Sequence, residues 1–130
     1  AAAEPAAGLR DTGPVGTVLP MKAGSAAQVL LAWQDPATVQ HELVGARFSP
    51  AALAKVRFNG WAQSVGQREP GVASVSAPVR VGGRVVAAIS VSGPIERLSR
   101  TPGTKYGPAV KAAARQLGET VRLGAAVERD

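Results

Sequence analysis

Residues 71–94 read GVASVSAPVRVGGRVVAAISVSGP, and this stretch decides the fold. Two runs rich in Val, Ala and Ser flank Gly82-Gly83, and paired glycines supply the positive φ that a tight hairpin turn needs. The pattern predicts two antiparallel strands. Side chains alternate along a strand with period two, so Val72, Ser74 and Ser76 share one face of the first strand. Ser90 and Ser92 share one face of the second, with Ala88 and Val86. The opposite faces, Ala73, Val75, Ala77 and Val79 with Val85, Ala87, Ile89 and Val91, are wholly apolar and should pack on a core. Pro78 has no N–H for a ladder, so it belongs at an edge, a bulge or a non-bonded position. Small hydroxyls on a covered face leave room for a small polar ligand and can hydrogen-bond it. They can equally bond one another across the sheet.

Around the hairpin the chain alternates cap signals with apolar periodicity. Residues 5–16 are rich in Gly and Pro and read as loop, and Thr17 to Met21 reads as a short strand. Ser25 is the expected N-cap of a helix whose apolar stripe is Val29, Leu30 and Trp33. Asp35-Pro36 opens a second helix, expected to turn Val39, Leu43 and Val44 inward and leave His41 at the surface. Ser49-Pro50 opens a third, with Leu53, Val56 and Phe58 facing the core and Gly60 ending it. Trp61 to Val65 reads as a strand and residues 66–70 as a loop. After a loop over Ser99 to Gly103, a long helix is expected from Thr104 to Leu123, buried through Ala109, Val110, Ala113, Leu117 and Val121. Pro108 fits that helix only in its first turn. A hairpin-containing antiparallel sheet with helices against it is an α+β domain.

The 130 residues suffice for one domain with a modest core, so residues 1–130 are read as one unit. No apolar run is long enough to cross a bilayer. Zero Cys excludes disulfides and thiolate metal sites and fits a reducing, cytoplasmic setting. A single His excludes His-rich metal clusters. The net charge of +6 is spread thinly over Arg97, Arg100, Lys105, Lys111, Arg115 and Arg122, without interleaved aromatics, and reads as a solvated basic surface. Catalysis would need a nucleophile beside a base, paired carboxylates or a metal. His41 lies in a polar helical stretch, and Asp11 and Glu69 are isolated loop carboxylates. Neither a Walker-type phosphate loop nor a dinucleotide fingerprint is present. Binding is therefore expected rather than catalysis, with no cofactor and no metal. The stretch Gly24-Ser25-Ala26-Ala27 offers the free amides and positive dipole end of a helix N-terminus, which favour a carboxylate.

WAQSVGQREPGVASVSAPV (61–79), VVAAISVSGPIERL (85–98) and VGTVLPMKAGSAAQVLLAW (15–33) resemble the effector-binding domain of the IclR family of transcription regulators. The order and spacing of E-x-G-V at Glu69 to Val72 and S-x-S-G-P at Ser90 to Pro94 carry the resemblance, which runs from Glu4 to Leu123. It implies a GAF-like sensor fold, a curved antiparallel sheet flanked by helices. It also implies that the domain's first strands and helix, and an upstream winged helix-turn-helix that binds operator DNA, lie outside this chain. The implied assembly is a homodimer or dimer of dimers, and the implied effector a small organic or aromatic acid.

Carried over by position, Ser25 and Ala26 match the amides that meet a ligand carboxylate. Ser64, Ser74, Ser90 and Ser92 match pocket positions, and Met21, Val29 and Leu30 match pocket walls. The chain departs from the family pattern at Ala27-Gln28, where Gly-Lys is usual, and at Lys22, where His is usual. Ser64 stands where some relatives carry an acid, so a ligand hydroxyl would meet a weaker acceptor. The connection from Trp33 to Ser49 is short for the family. The rival expectation is an assembly module whose serines bind nothing.

Overall fold

The computed structural model describes residues 23–67 and 69–129. The strand expected over Thr17 to Met21, and the pocket-wall residue Met21, lie outside them. Three helices come first: α1 (Ser25–Ala32), α2 (Pro36–Glu42) and α3 (Pro50–Asn59). They are followed by β1 (Ala62–Val65), β2 (Val72–Val81) and β3 (Arg84–Pro94), then the single turn α4 (Ile95–Leu98) and the long α5 (Pro102–Arg129). The strands form an antiparallel sheet in the order β1-β2-β3. The architecture is α+β, with α1 to α3 on one face of the sheet and α5 on the other.

The hairpin forms where the sequence places it. Gly82 and Gly83 take φ of 60° and 79°, the left-handed region that a two-residue turn requires. Ser74 lies opposite Ser92 and Ser76 opposite Ser90. Pro78 lies two residues beyond Ser76, the last residue paired to β1, where among the described residues no second ladder needs its N–H. The register shifts just afterwards, between Val79 and Arg80.

The core has two parts. Val29, Leu31, Phe48, Leu53, Val56 and Ala62 pack among the three helices and β1. On the opposite face Val75, Ala77 and Val79 pack against Val110 and Ala114 of α5, with Trp61 and Tyr106 at the margin. The caps of α2 and α3 are as read: an Asp35 carboxylate oxygen accepts from the Thr38 amide at 3.3 Å, and Ser49 Oγ accepts from the Ala52 amide at 3.1 Å. Gly60, with φ of 81°, ends α3 in the left-handed region.

Several expectations are corrected. Ser25 is the first residue of α1, not its cap; Gly24 takes the cap position, and the Ser25 hydroxyl bonds the sheet instead. Leu31 is fully buried, whereas Leu30 is only half-buried. Val44 and Phe58 are 72% and 90% exposed, because both fall on the outward side of their segments. The stretch after Pro94 contains α4, and α5 begins at Pro102, two residues earlier than read.

That earlier start places Pro108 in the second turn of α5. It is tolerated there because Thr104, whose carbonyl would accept from residue 108, is exposed to water. The buried stripe of α5 is Gly103, Gly107, Val110, Ala114 and Gly118, while Ala109, Ala113, Leu117 and Val121 are exposed. Close approach explains the glycines. A Cβ on Gly103 would strike the Trp61 ring, and one on Gly118 would stand 2.5 Å from the Arg80 carbonyl oxygen. An apolar stripe read by residue size misses a contact made by the absence of a side chain.

Candidate functional site

The N-terminal end of α1 lies across the hydroxyl face of the sheet. Gln67, in the loop after β1, holds it there: its Oε1 accepts the Gly24 amide at 2.9 Å. Ser25, 2% exposed, then reaches the sheet with its Oγ at 2.6 Å from Ser74 Oγ and 2.7 Å from Ser76 Oγ. Two cross-strand pairs extend the contact, Ser64 to Ser74 at 2.8 Å and Ser76 to Ser90 at 2.6 Å. The result is an unbroken chain of hydroxyls, Ser64–Ser74–Ser25–Ser76–Ser90. Only small side chains let a helix end sit this close to a sheet, and the hydroxyls satisfy one another where water is excluded.

A hydroxyl brings one proton and two lone pairs. Four links among five hydroxyls use four of the five protons. One proton is left for an acceptor outside the chain, and its position follows the direction in which the bonds are polarised. Ser92, half-buried and opposite Ser74 in the register, makes no side-chain hydrogen bond among the described residues. The first amides of α1, at Ser25 and Ala26, have no intrahelical acceptor by helix geometry. They carry the positive end of the dipole toward the same region.

Ser25, Ser64, Ser74 and Ser90 are thus brought into one bonded chain, with Ala26 half-buried beside it and Ser92 on the neighbouring position of the same face. Val29 is 0% exposed and belongs to the core beneath α1, so it lines no open space there; Leu30 is half-buried. Ser76, 0% exposed, is the junction of the chain, bonded to Ser25 and to Ser90. Its period-two relation to Ser74 was the signal for it. Gln28 was not legible as a structural residue. It is 3% exposed, and its Nε2 donates to the Gln63 carbonyl of β1 at 3.2 Å.

The bonded serines partner one another, and among the described residues no His, Asp or Glu is hydrogen-bonded to them. His41 is exposed on α2. Among the described residues no group of His, Asp or Glu is placed to hold a metal ion. Among them too, no helix is long and apolar enough to cross a membrane. Asp35 has its pKa held below the usual carboxylate value by the hydroxyl and amide of Thr38, which makes it a cap rather than a site residue.

A model of the C-terminal region of IclR, a bacterial transcriptional regulator, matches residues 2–119. The chain belongs to this IclR C-terminal family. Solved structures of IclR-type regulators share its fold. A regulator from a Silicibacter species superposes with a TM-score of 0.75 at 26% identity, over 89% of this chain and 51% of that one. The C-terminal domain of a transcriptional regulator from Vibrio cholerae gives 0.70 at 30% identity, over 83% and 70%. The inducer-binding domain of PobR from Acinetobacter, a double mutant in complex with 3-hydroxybenzoic acid, gives 0.68 at 22% identity over 81% and 69%, a likeness of fold alone. This IclR-type chain spans about half the length of the first structures it matches. No curated protein matches it. The proteins it resembles are transcriptional regulators, not enzymes.

Proposed function

We propose that this chain is the effector-sensing unit of a transcription regulator and that its effector is a small organic acid. The observation that carries the reading is the hydroxyl chain beneath the N-terminus of α1, with a proton to spare and Ser92 beside it. A carboxylate would sit between the amides of Ser25 and Ala26 and the hydroxyls of Ser64, Ser74, Ser90 and Ser92. Leu30 would form part of the wall. Each charge-assisted hydrogen bond would contribute about 1.5–3 kcal/mol. The hydroxybenzoic acid held by the PobR domain supports the ligand class. An aromatic acid is therefore one candidate, and a small aliphatic acid the other.

In the full-length protein, a winged helix-turn-helix outside this chain would read operator DNA. The assembly would be a homodimer or a dimer of dimers in the cytoplasm. The acid would regulate by preferring one arrangement of subunits over another, since a ligand shifts an equilibrium only by its difference in affinity for the two states. A second reading, an assembly module without an effector, draws on the same bonds: the serines already satisfy one another.

A thermal-shift panel of mono- and dicarboxylates at millimolar concentration separates the two. Binding to the folded state raises the melting temperature by mass action, here by about 2–6 °C at tenfold saturation. The Ser74→Ala/Ser92→Ala variant should abolish the shift. No shift with any acid would favour the assembly module, and a shift that survives the double variant would move the acid away from the serine face.

A further inference from the structure

On the far side of β1 from its partner strand, a cleft of about 870 Å³ opens between α3, the free edge of β1 and the first turn of α5. Its volume falls in the range of small-molecule sites, roughly 300–1,000 Å³. Arg47 and Lys55 line it, and neither makes an ion pair or hydrogen bond among the described residues. No Asp or Glu is among its lining residues within the described part of the chain. Two unpaired cations over a cleft without a counter-charge create a positive field that an anion would relieve.

The rest of the lining fixes the kind of anion. Phe48 and Trp61 supply aromatic walls, Phe48 anchored in the helical core and Trp61 at the margin of the α5 core. Gln28 and Gln67 form an amide floor, tied to the Gln63 carbonyl and to the Gly24 amide respectively. The floor is therefore held in place before any ligand arrives, which lowers the ordering cost of binding. Aromatic walls favour a flat apolar body, the cations favour a carboxylate at one end, and the amides offer hydrogen bonds to a ring substituent.

We propose that the cleft along the free edge of β1 is a second binding site, specific for aromatic carboxylates and separate from the serine face. It does not depend on the role of the serines. None of Ser25, Ser64, Ser74, Ser76, Ser90 and Ser92 is among the residues that line the cleft, and Arg47, Lys55, Phe48 and Trp61 take no part in the hydroxyl chain.

The chain has two tryptophans, and only Trp61 lines the cleft; Trp33 lies on the other side of the sheet under the Arg80 guanidinium, 4.4 Å from its ring centre. The whole chain carrying Trp33→Phe therefore reports on the cleft alone. With 2-naphthoate as the probe, Trp61 fluorescence should be quenched saturably. Arg47→Gln with Lys55→Gln should weaken that binding by about tenfold or more, as expected for loss of charge-assisted contacts. Both residues are exposed, so the variant keeps the fold. Ser74→Ala with Ser92→Ala should leave the midpoint within about twofold, a change below half a kcal/mol. The uncharged 2-naphthol should bind at least about tenfold more weakly than the acid. Linear, unsaturable quenching would overturn the proposal. So would equal binding of naphthol and naphthoate, or binding lost with the serines and retained without the two cations.

Discussion

On one face of β2, Ser74 and Ser76 meet Ser25 of α1 through hydroxyls 2.6 and 2.7 Å apart. On the other face Val75, Ala77 and Val79 lie against Val110 and Ala114 of α5. Residues one apart in sequence thus serve opposite kinds of contact. The apolar face is non-directional, and its stabilisation follows the area withdrawn from water. The hydroxyl face is directional and can be rewired, because each serine can exchange a serine partner for a ligand oxygen at little net change in bonding. A fixed face holds the sheet to its long helix, and the adaptable face sits where the helix end with free amides arrives.

Exchanging the two materials should hurt the fixed face most. Val75→Ser would put an unpartnered hydroxyl into a fully buried apolar layer and remove its methyls, lowering stability by about 2–4 kcal/mol in urea unfolding. Next comes the seam between helix and hairpin. Gly118→Ala would drive a Cβ to 2.5 Å from the Arg80 carbonyl, a backbone atom that cannot swing aside. The overpacking should outweigh the gain in helix propensity and leave a net loss of about 2 kcal/mol.

The hydroxyl face should yield less. Ser76→Ala removes the junction, but Ser25 keeps Ser74, and only Ser90 is left without its partner. A loss of about 1 kcal/mol is expected. A loss as large as that of Val75→Ser would mean that the hydroxyl chain is structural rather than adaptable.

The smallest effect lies away from both faces, at the cap of α2. The folded Asp35 pKa is depressed below its usual value of 3.8, first by the Thr38 hydroxyl and then by its amide. The stabilisation is therefore complete above the unfolded pKa and lost as pH falls through the folded one. Asp35→Asn should flatten the acid limb of a stability profile below pH 3.8 and leave the neutral region almost unchanged. An unchanged acid limb would show that the carboxylate cap does not survive in solution.

The same contrast governs what the sequence made legible. The hairpin turn, its first strand and its hydroxyl face were readable, because period-two alternation and Gly82-Gly83 are local signals; on the second strand Ile89 and Val91 pack on the α5 core as expected, but Ala87 is exposed and Val85 only half-buried. The caps at Asp35 and Ser49 were readable too, each set by the chemistry of one side chain. The buried side of α5 was not. Its contacts are made by Gly103, Gly107 and Gly118 against Trp61 and the Arg80 backbone, and no hydrophobic pattern marks a glycine as buried. Ser25 was placed at the right helix end, but as a cap. Its actual partners are 49 and 51 residues away in sequence, beyond the reach of a local rule. The cleft beside β1 was invisible for the same reason, since Arg47, Lys55, Trp61 and Gln67 share no motif and meet only in the fold.

Whether a small acid engages the adaptable face under the N-terminus of α1 can be read atom by atom. Backbone amide shifts of the whole chain, titrated with the acid that raises the melting temperature most, test it directly. The Arg47→Gln/Lys55→Gln background keeps the cleft out of the measurement. Ser25, Ala26, Ser74, Ser90 and Ser92 should move together and saturate at one midpoint. Stationary amides at these five positions, while others shift or none does, would contradict it.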